Sequence, residues 1–301
     1  MGIAFRGYPT FPLVSIRSAA GVRARVAMLR AIPRAKADLR ALRPDAVFST
    51  GGYSSGPVMA AARSLGIPLS LHAVDSVPGR ALRMYARGAT TFTCGFHSTE
   101  SHLARLGVSV PVQRVGHPIR ETLRNAVANR EPNPDLLLVV GGSQGSVFLN
   151  DLALGVATLW PGRILLATGP KNFAAIEGKT PANVDARPYL GAEEMAEAYR
   201  TAGVALARSG GTIAEFAMAR LPSVLVPLPG SADDHQRWNA EEFVGFGGAD
   251  LLPQAEATPA RLADLLAAWT VRKRREVAER ELGEWDVPAA SERFAASIGR
   301  V

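Results

Sequence analysis

The sequence predicts an α/β protein built from two doubly wound, Rossmann-like parallel-sheet domains in tandem. Three observations carry that expectation. From Asp45 onward, short apolar runs alternate with amphipathic segments, the pattern left by successive βαβ units. Glycine-rich turns follow three of those runs directly, and open α/β sheets bind ligands at such strand ends. The chain is 301 residues long, twice a typical domain of about 150.

In the first half, strands are expected near Ala46–Ser49, Leu69–His72, Thr91–Cys94 and Val112–Val115, with helices between them. Each run is brief and apolar, as a strand covered on both faces must be. The polar stretch 129–134, Asn-Arg-Glu-Pro-Asn-Pro, has no apolar periodicity and reads as a linker. A second series follows at Leu136–Val140, Ile164–Ala167, Val184–Pro188, Val204–Ala207, Val224–Val226 and Ala249–Leu252. The domain expectation is therefore 1–128, 129–285, and a C-terminal helix over 286–301. Because the chain opens on Gly2-Ile3-Ala4-Phe5-Arg6-Gly7 and reaches its first clear strand only near Ala46, the opening βα units of the first domain are expected to be absent.

Composition excludes several classes. With 47% hydrophobic and 20% charged residues, 29 Gly and 21 Pro, the chain is a globular protein with many tight turns. Its single cysteine, Cys94, can form neither an internal disulfide nor a cysteine-based metal site, which fits a reducing compartment. Leu136–Val140 is far too short to cross a bilayer, and no basic-then-apolar signal follows Met1. A cytoplasmic location follows as the expectation.

Charge is unevenly placed. Residues 1–130 carry 18 Lys+Arg against 5 Asp+Glu, a formal +13, and the remainder carries −6. Such a field attracts nucleic acid, an anionic membrane or a phosphorylated substrate, or it is a solvated arginine-rich surface. No helix-turn-helix, RNP or finger pattern accompanies the basic residues, so nucleic acid is not expected as a partner. Arg17, Arg23, Arg25, Arg30, Arg34, Lys36 and Arg40 concentrate in one stretch beside Val22, Val26, Met28, Leu29 and Ile32. A basic and apolar segment of this kind can rest on anionic headgroups.

The three glycine turns are the candidate site. Gly141-Gly142-Ser143-Gln144-Gly145 leads into a helical pattern carrying Val147, Leu149 and Leu152. Amides at a helix start, with a serine hydroxyl, bind phosphate oxygens; the other reading is a plain tight turn. Gly51-Gly52-Tyr53-Ser54-Ser55-Gly56-Pro57 can do the same, with Tyr53 to pack on a sugar or lipid chain, or is a loop shaped by glycine and proline. Arg208-Ser209-Gly210-Gly211-Thr212 precedes a helix with Glu215 one turn in, where a carboxylate accepts adjacent ribose hydroxyls or merely suits the helix dipole. No P-loop or Gly-x-Gly-x-x-Gly signature is present, and no histidine pair has metal-ligand spacing.

Taken in order, the segment from Asp45 to Pro57, His72 to Gly79, Gly116-His117-Pro118-Ile119-Arg120, the Gly141–Gly145 turn, Val226-Pro227-Leu228-Pro229 and Asp233 to Ala240 resemble the MurG-like members of glycosyltransferase family 28. The resemblance implies a GT-B fold, two Rossmann-like domains facing across a cleft, with residues 286–299 returning to the first. It implies an inverting, cofactor-free and metal-free transfer of GlcNAc from UDP-GlcNAc to lipid I, giving lipid II for peptidoglycan, by an enzyme peripheral on the inner face of the cell membrane. By position, Ser143 and its glycines, Gly142 among them, face the donor diphosphate, Gln144 belongs to the donor side, Arg120 contributes a charge near the domain junction, and Leu190 lies at the uracil. Gly210, Gly211 and Thr212 belong to the donor side, Glu215 holds the ribose, and Gln236 meets the donor sugar. Gly51, Gly52, Tyr53, Ser54 and Gly56 fall on the acceptor side, where an anionic membrane surface is the expected partner.

The sequence departs from the family at several points. The family's opening Gly-Gly-Thr-Gly-Gly-His turn is missing, His72-Ala73-Val74-Asp75 replaces His-Glu-Gln-Asn, and Leu82 replaces a donor-contacting Asn. Gly116-His117-Pro118 stands for Gly-Asn-Pro, and the Gly210-Gly211 turn is one residue shorter. The catalytic base is consequently unassigned, with His72 and Asp75 as weak candidates. Two alternatives stay open: a GT-B transferase with another lipid or metabolite acceptor, and a non-catalytic UDP-sugar-binding remnant.

Overall fold

The computed structural model describes residues 4–11 and 18–298. The chain divides into two compact units, residues 1–116 with 291–301, and residues 117–290. Arg17 and Gly299 lie outside the described residues.

The first unit contains α1 (Ala19–Leu42), β1 (Val47–Ser49), α2 (Gly56–Leu65), β2 (Leu69–Ala73), α3 (Arg80–Tyr85), β3 (Thr91–Cys94), α4 (Thr99–Arg105) and β4 (Gln113–Arg114). Its strands form a parallel sheet in the order β1-β2-β3-β4. All five residues of β2 are buried: Leu69, Leu71 and Ala73 share one apolar face, while Ser70 and His72 share the other, where they pair with the Thr91 and Thr93 hydroxyls of β3. The long helix α1 starts where the Ser18 hydroxyl accepts the Gly21 amide at 3.1 Å, and stops at Arg43 in the left-handed region. Ala24, Ala31, Ala35 and Leu39 are its buried face. These small side chains let it lie close along α2, where Met28 touches the position a Cβ of Gly56 would take.

The second unit contains α5 (Glu121–Ala126), β5 (Asn133–Val140), α6 (Val147–Val156), β6 (Arg163–Ala167), α7 (Phe173–Ile176), β7 (Val184–Arg187), α8 (Ala192–Thr201), β8 (Ala202–Ala207), α9 (Thr212–Met218), β9 (Ser223–Leu225), α10 (His235–Gly245), β10 (Ala249–Leu251), α11 (Pro259–Trp269) and α12 (Arg272–Trp285). A last helix, α13 (Ala290–Ile298), closes the described chain. The six parallel strands run in the order β10-β9-β8-β5-β6-β7. Connections leave β5 toward one edge through β6 and β7, then cross to β8 on its other side. The switch point of this doubly wound sheet is therefore the junction of β5 and β8, the place where such sheets open a ligand crevice. Register puts Val140 beside Ala167 of β6 and Ala207 of β8, so three carboxyl ends finish level. Beneath them Leu137, Val139, Leu149, Leu206, Val224 and Leu266 form a core with essentially no exposure.

All ten strands fall where the apolar runs predict them, but the domain boundaries move. The division lies at Gly116–His117 rather than after residue 128. Helix α5 is held within the second unit by the Arg124–Asp286 ion pair, at 2.5 Å. The stretch expected as a linker is also structured there. The Arg130 guanidinium pairs with Glu279 at 2.9 Å and donates to the Tyr199 and Ala202 carbonyls, while the Glu131 amide donates to the Arg200 carbonyl. A polar sequence without periodicity becomes ordered because its charges and amides, not apolar side chains, make the contacts. The returning segment begins at Ser291 rather than residue 286. There Phe294 packs edge-on against Phe48 of β1, with ring centroids 4.7 Å apart.

Candidate nucleotide-binding site

At the switch point of the second unit lies a cavity of about 270 Å³. Its walls come from the ends of β5, β6 and β7: Val140, Gly142 and Ser143 at the end of β5, Ala167 and Gly169 at the end of β6, and Pro188, Tyr189 and Leu190 after β7. Gly191, then Ala192, Met195 and Tyr199 of α8, Thr212 and Glu215 of α9, and Arg120 just ahead of α5 complete it. The opening is thus amide-rich at one end, apolar around Leu190 and Met195, and carries one carboxylate and one guanidinium.

The glycine turn is shaped by close approach. Gly142 has φ +82° and Gly145 φ +72°, both in the left-handed region that glycine tolerates. At Gly145 a Cβ would also run into the Thr168 carbonyl, so the β5 turn and the β6 end lie against each other with no room for a side chain. The Ser146 hydroxyl then caps α6 by accepting the Leu149 amide. The following amides point toward the turn as a helix start, the arrangement that favours anions.

Behind the turn sits Arg208. Its Nη1 donates to the Val226 and Pro227 carbonyls at 3.0 and 3.2 Å, and its Nη2 donates to Ser146 Oγ and Gln254 Oε1 at 3.2 and 2.8 Å. No carboxylate pairs with it among the described residues, and burial lowers its pKa from the ordinary arginine value. It ties the β8 end, the β9 end and the α6 start together by neutral acceptors, which leaves a positive charge under the glycine turn. Across the cavity, the Tyr199 hydroxyl donates to Glu215 Oε2 at 2.5 Å.

Two profiles of known families match the chain: the glycosyltransferase family 28 N-terminal domain over residues 1–94 and the family 28 C-terminal domain over residues 136–284. The chain is 38% identical over 252 residues to the UDP-N-acetylglucosamine--N-acetylmuramyl-(pentapeptide) pyrophosphoryl-undecaprenol N-acetylglucosamine transferase of Shewanella amazonensis, covering 79% of this chain and 67% of that one. It is 34% identical to the protein of the same name from Hydrogenovibrio crunogenus, covering 83% of this chain and 71% of that one. It belongs to glycosyltransferase family 28.

Among solved structures, MurG of Acinetobacter baumannii superposes with a TM-score of 0.74 at 28% identity, covering 92% of this chain and 80% of that one. The kitacinnamycin glycotransferase shares the fold at a TM-score of 0.64 and 18% identity. The two parallel-sheet units are the GT-B architecture of these neighbours. The chain spans about two thirds of the length of the family 28 relatives named above, at 67% and 71%.

Of the family 28 donor positions expected from sequence, Arg120, Gly142, Ser143, Leu190, Thr212 and Glu215 line the cavity together. Gln144, Gly210, Gly211 and Gln236 are not part of its wall. The Gln144 carbonyl instead accepts from Asn172 Nδ2. Gln236 is half-buried and engaged by its own loop: its Oε1 accepts the Leu228 amide at 2.9 Å and its own carbonyl accepts from Ser209 Oγ at 2.6 Å. Gly210 and Gly211 shape the start of α9, which is how they bring Thr212 and Glu215 to the wall.

Within the first unit, the Gly51 to Gly56 cluster forms the turn from β1 into α2. The Gly51 amide donates to Ser49 Oγ at 3.0 Å, and Leu82 packs where a Gly51 side chain would stand. Gly52, Tyr53 and Ser54 are exposed on that turn, whereas Gly56 is buried. His72 is only 1% exposed, 2.9 Å from Thr93 Oγ1 and edge-on to the Phe294 ring. A base must reach the proton it removes, and this burial places the imidazole in the core of the unit. Asp75 is half-buried after β2.

Sequence reasoning missed Tyr189, Met195, Tyr199 and Gly169. Gly169 stands after an apolar run, the same signal that picked out the other turns. Tyr199 sits in an ordinary amphipathic helix pattern, and only the folded chain brings it to Glu215. Among the described residues, no group of His, Cys, Asp or Glu is arranged to hold a metal ion, and no helix is long and apolar enough to cross a membrane.

Proposed function

We propose that this family 28 chain transfers GlcNAc from UDP-GlcNAc to the muramoyl hydroxyl of lipid I, with inversion, to give lipid II. The observation that carries the reading is the convergence of Arg120, Gly142, Ser143, Leu190, Thr212 and Glu215 on one cavity at the β5–β8 switch point. Its dimensions and chemistry suit a nucleoside diphosphate. Uracil packs by Leu190, the ribose hydroxyls donate to Glu215, and the diphosphate meets the amides after Gly142 and the Arg120 guanidinium. Bond breaking leaves negative charge on the β-phosphate. Fixed amides and a guanidinium stabilise that charge more than they stabilise the bound donor, which is how they lower the barrier.

The acceptor carries a pyrophosphate on a polyprenyl chain, and the first unit supports a membrane-facing role for it. On α1, Val22, Val26 and Leu29 are 51%, 40% and 66% exposed. They form a stripe at helical spacing, and Val22 and Val26 line an apolar groove of about 740 Å³ that Arg23, Arg30 and Arg34 also border. Such a surface suits peripheral attachment to anionic lipid on the cytoplasmic face.

The deciding experiment follows labelled GlcNAc from UDP-GlcNAc into lipid I, with the anomeric configuration of the product read by NMR. Formation of β-linked lipid II is the expected result. Transfer to another lipid or to a small-molecule alcohol instead would move the acceptor assignment, and UDP binding without transfer or hydrolysis would leave a binding protein.

A further inference from the structure

We infer that Tyr199 is a positioning residue that holds the Glu215 carboxylate for the paired hydroxyls of a bound ribose, and so sets the preference of this site for ribo- over 2′-deoxyribonucleotides. The inference rests on the uridine nucleotide reading of the cavity and adds to it the group that makes the sugar contact selective.

Tyr199 lies near the end of α8 and is fully buried, at 0% exposure. Its ring stands edge-on to Phe216, with centroids 5.9 Å apart and planes at 88°. Ring and helix together leave the hydroxyl no freedom to wander. That hydroxyl donates to Glu215 Oε2 at 2.5 Å, and both residues line the cavity. It is the only hydrogen-bonding partner of the Glu215 side chain among the described residues.

A glutamate on the first turn of a helix has three rotatable bonds, and an ordered carboxylate costs rotamer entropy that its contacts must offset. A charge-assisted bond from a rigid phenol meets that cost before any ligand arrives. It also engages one oxygen and leaves the other for the ligand. Burial, then the adjacent Glu215 carboxylate, raise the Tyr199 phenol far above its usual value. The proton therefore stays on the phenol across the working pH range, and the bond always runs toward the carboxylate. The carboxylate is thereby kept as an acceptor, the role that two vicinal hydroxyl donors require.

Removing the 2′-hydroxyl leaves a prearranged carboxylate short of one donor, which is the kind of mismatch that a polar site rejects strongly. A carboxylate that is not prearranged loses less, because it can turn to suit a single hydroxyl.

Calorimetric titration of the full chain with UDP and with 2′-deoxy-UDP tests this directly. The unmodified protein is expected to bind UDP about tenfold more tightly than 2′-deoxy-UDP. In Tyr199→Phe the ring packing is kept, UDP affinity falls about fivefold, and the ratio between the two nucleotides drops to about two. Tyr199→Met lowers the melting temperature further and gives the same ratio, which separates the hydroxyl from the packing. A ratio unchanged in Tyr199→Phe, even with both affinities reduced, overturns the positioning role, as does an unmodified protein that binds both nucleotides equally. Failure of the unmodified protein to bind UDP at all would instead overturn the nucleotide reading beneath it.

Discussion

Gly142 and Gly145 both adopt positive φ, yet the structure asks different things of them. Open space surrounds a Cβ at Gly142, while at Gly145 it would meet the Thr168 carbonyl. Gly142→Ala should then cost only the left-handed backbone penalty, about 1 kcal/mol. Gly145→Ala must also push the β5 turn away from the β6 end, and is expected to cost about 3 kcal/mol or more. Urea denaturation monitored by circular dichroism measures both. Equal effects would show that the turn yields without cost, and the geometry proposed for phosphate binding would then not depend on that close approach.

Helix α1 combines a buried face of Ala24, Ala31, Ala35 and Leu39 with an exposed face of Val22, Val26 and Leu29. Arg23 adds to the rim by lying over the Phe11 ring, 4.7 Å from its centroid. Charge on this helix is therefore separable from its packing. Replacing Arg23, Arg30 and Arg34 with glutamine should leave the fold intact and weaken binding to phosphatidylglycerol vesicles by about 3 kcal/mol, at about 1 kcal/mol per basic residue near the surface. Raising salt should weaken the unmodified protein likewise, since the attraction is screened beyond about 8 Å at physiological ionic strength. Vesicle sedimentation indistinguishable between variant and parent would overturn the membrane role proposed for α1. At the same scale, α5 shows how an element changes allegiance: the Arg124–Asp286 pair places it in the second unit despite its position before the polar 129–134 stretch.

Across the whole chain, the two units divide the chemistry. Residues 1–116 with 291–301 hold 17 Lys+Arg against 5 Asp+Glu, whereas 117–290 hold 17 against 22. The basic unit suits an anionic acceptor surface, and the cavity proposed for the donor is lined wholly by the other unit. Ligand linkage turns this into a measurable asymmetry. At 100 times its Kd, UDP should stabilise the state that binds it by about 2.7 kcal/mol. Hydrogen exchange should accordingly slow in β5, α6 and α9, with the β1–β4 sheet unchanged. Protection confined to the first unit would place the nucleotide elsewhere.

Much of this was legible in the sequence, for a physical reason. Central parallel strands such as β8, buried on both faces, must be short apolar runs and are legible from the sequence. Edge strands such as β4, Gln113-Arg114, are marked only by the apolar residues that flank them, and strand-end glycines marked the turn at Gly142 and Ser143 and the approach to Glu215. Charge asymmetry was likewise a matter of composition. What the tertiary structure alone decided are contacts between residues far apart in the chain: Arg130 with Glu279, which turned an apparent linker into part of the second unit, the burial of His72 against Thr93 and Phe294, and the Tyr199–Glu215 bond. Periodicity reports which face of an element is apolar, and it carries no information on which polar group meets which across the fold. That pairing depends on register and helix rotation, set only when the whole core packs.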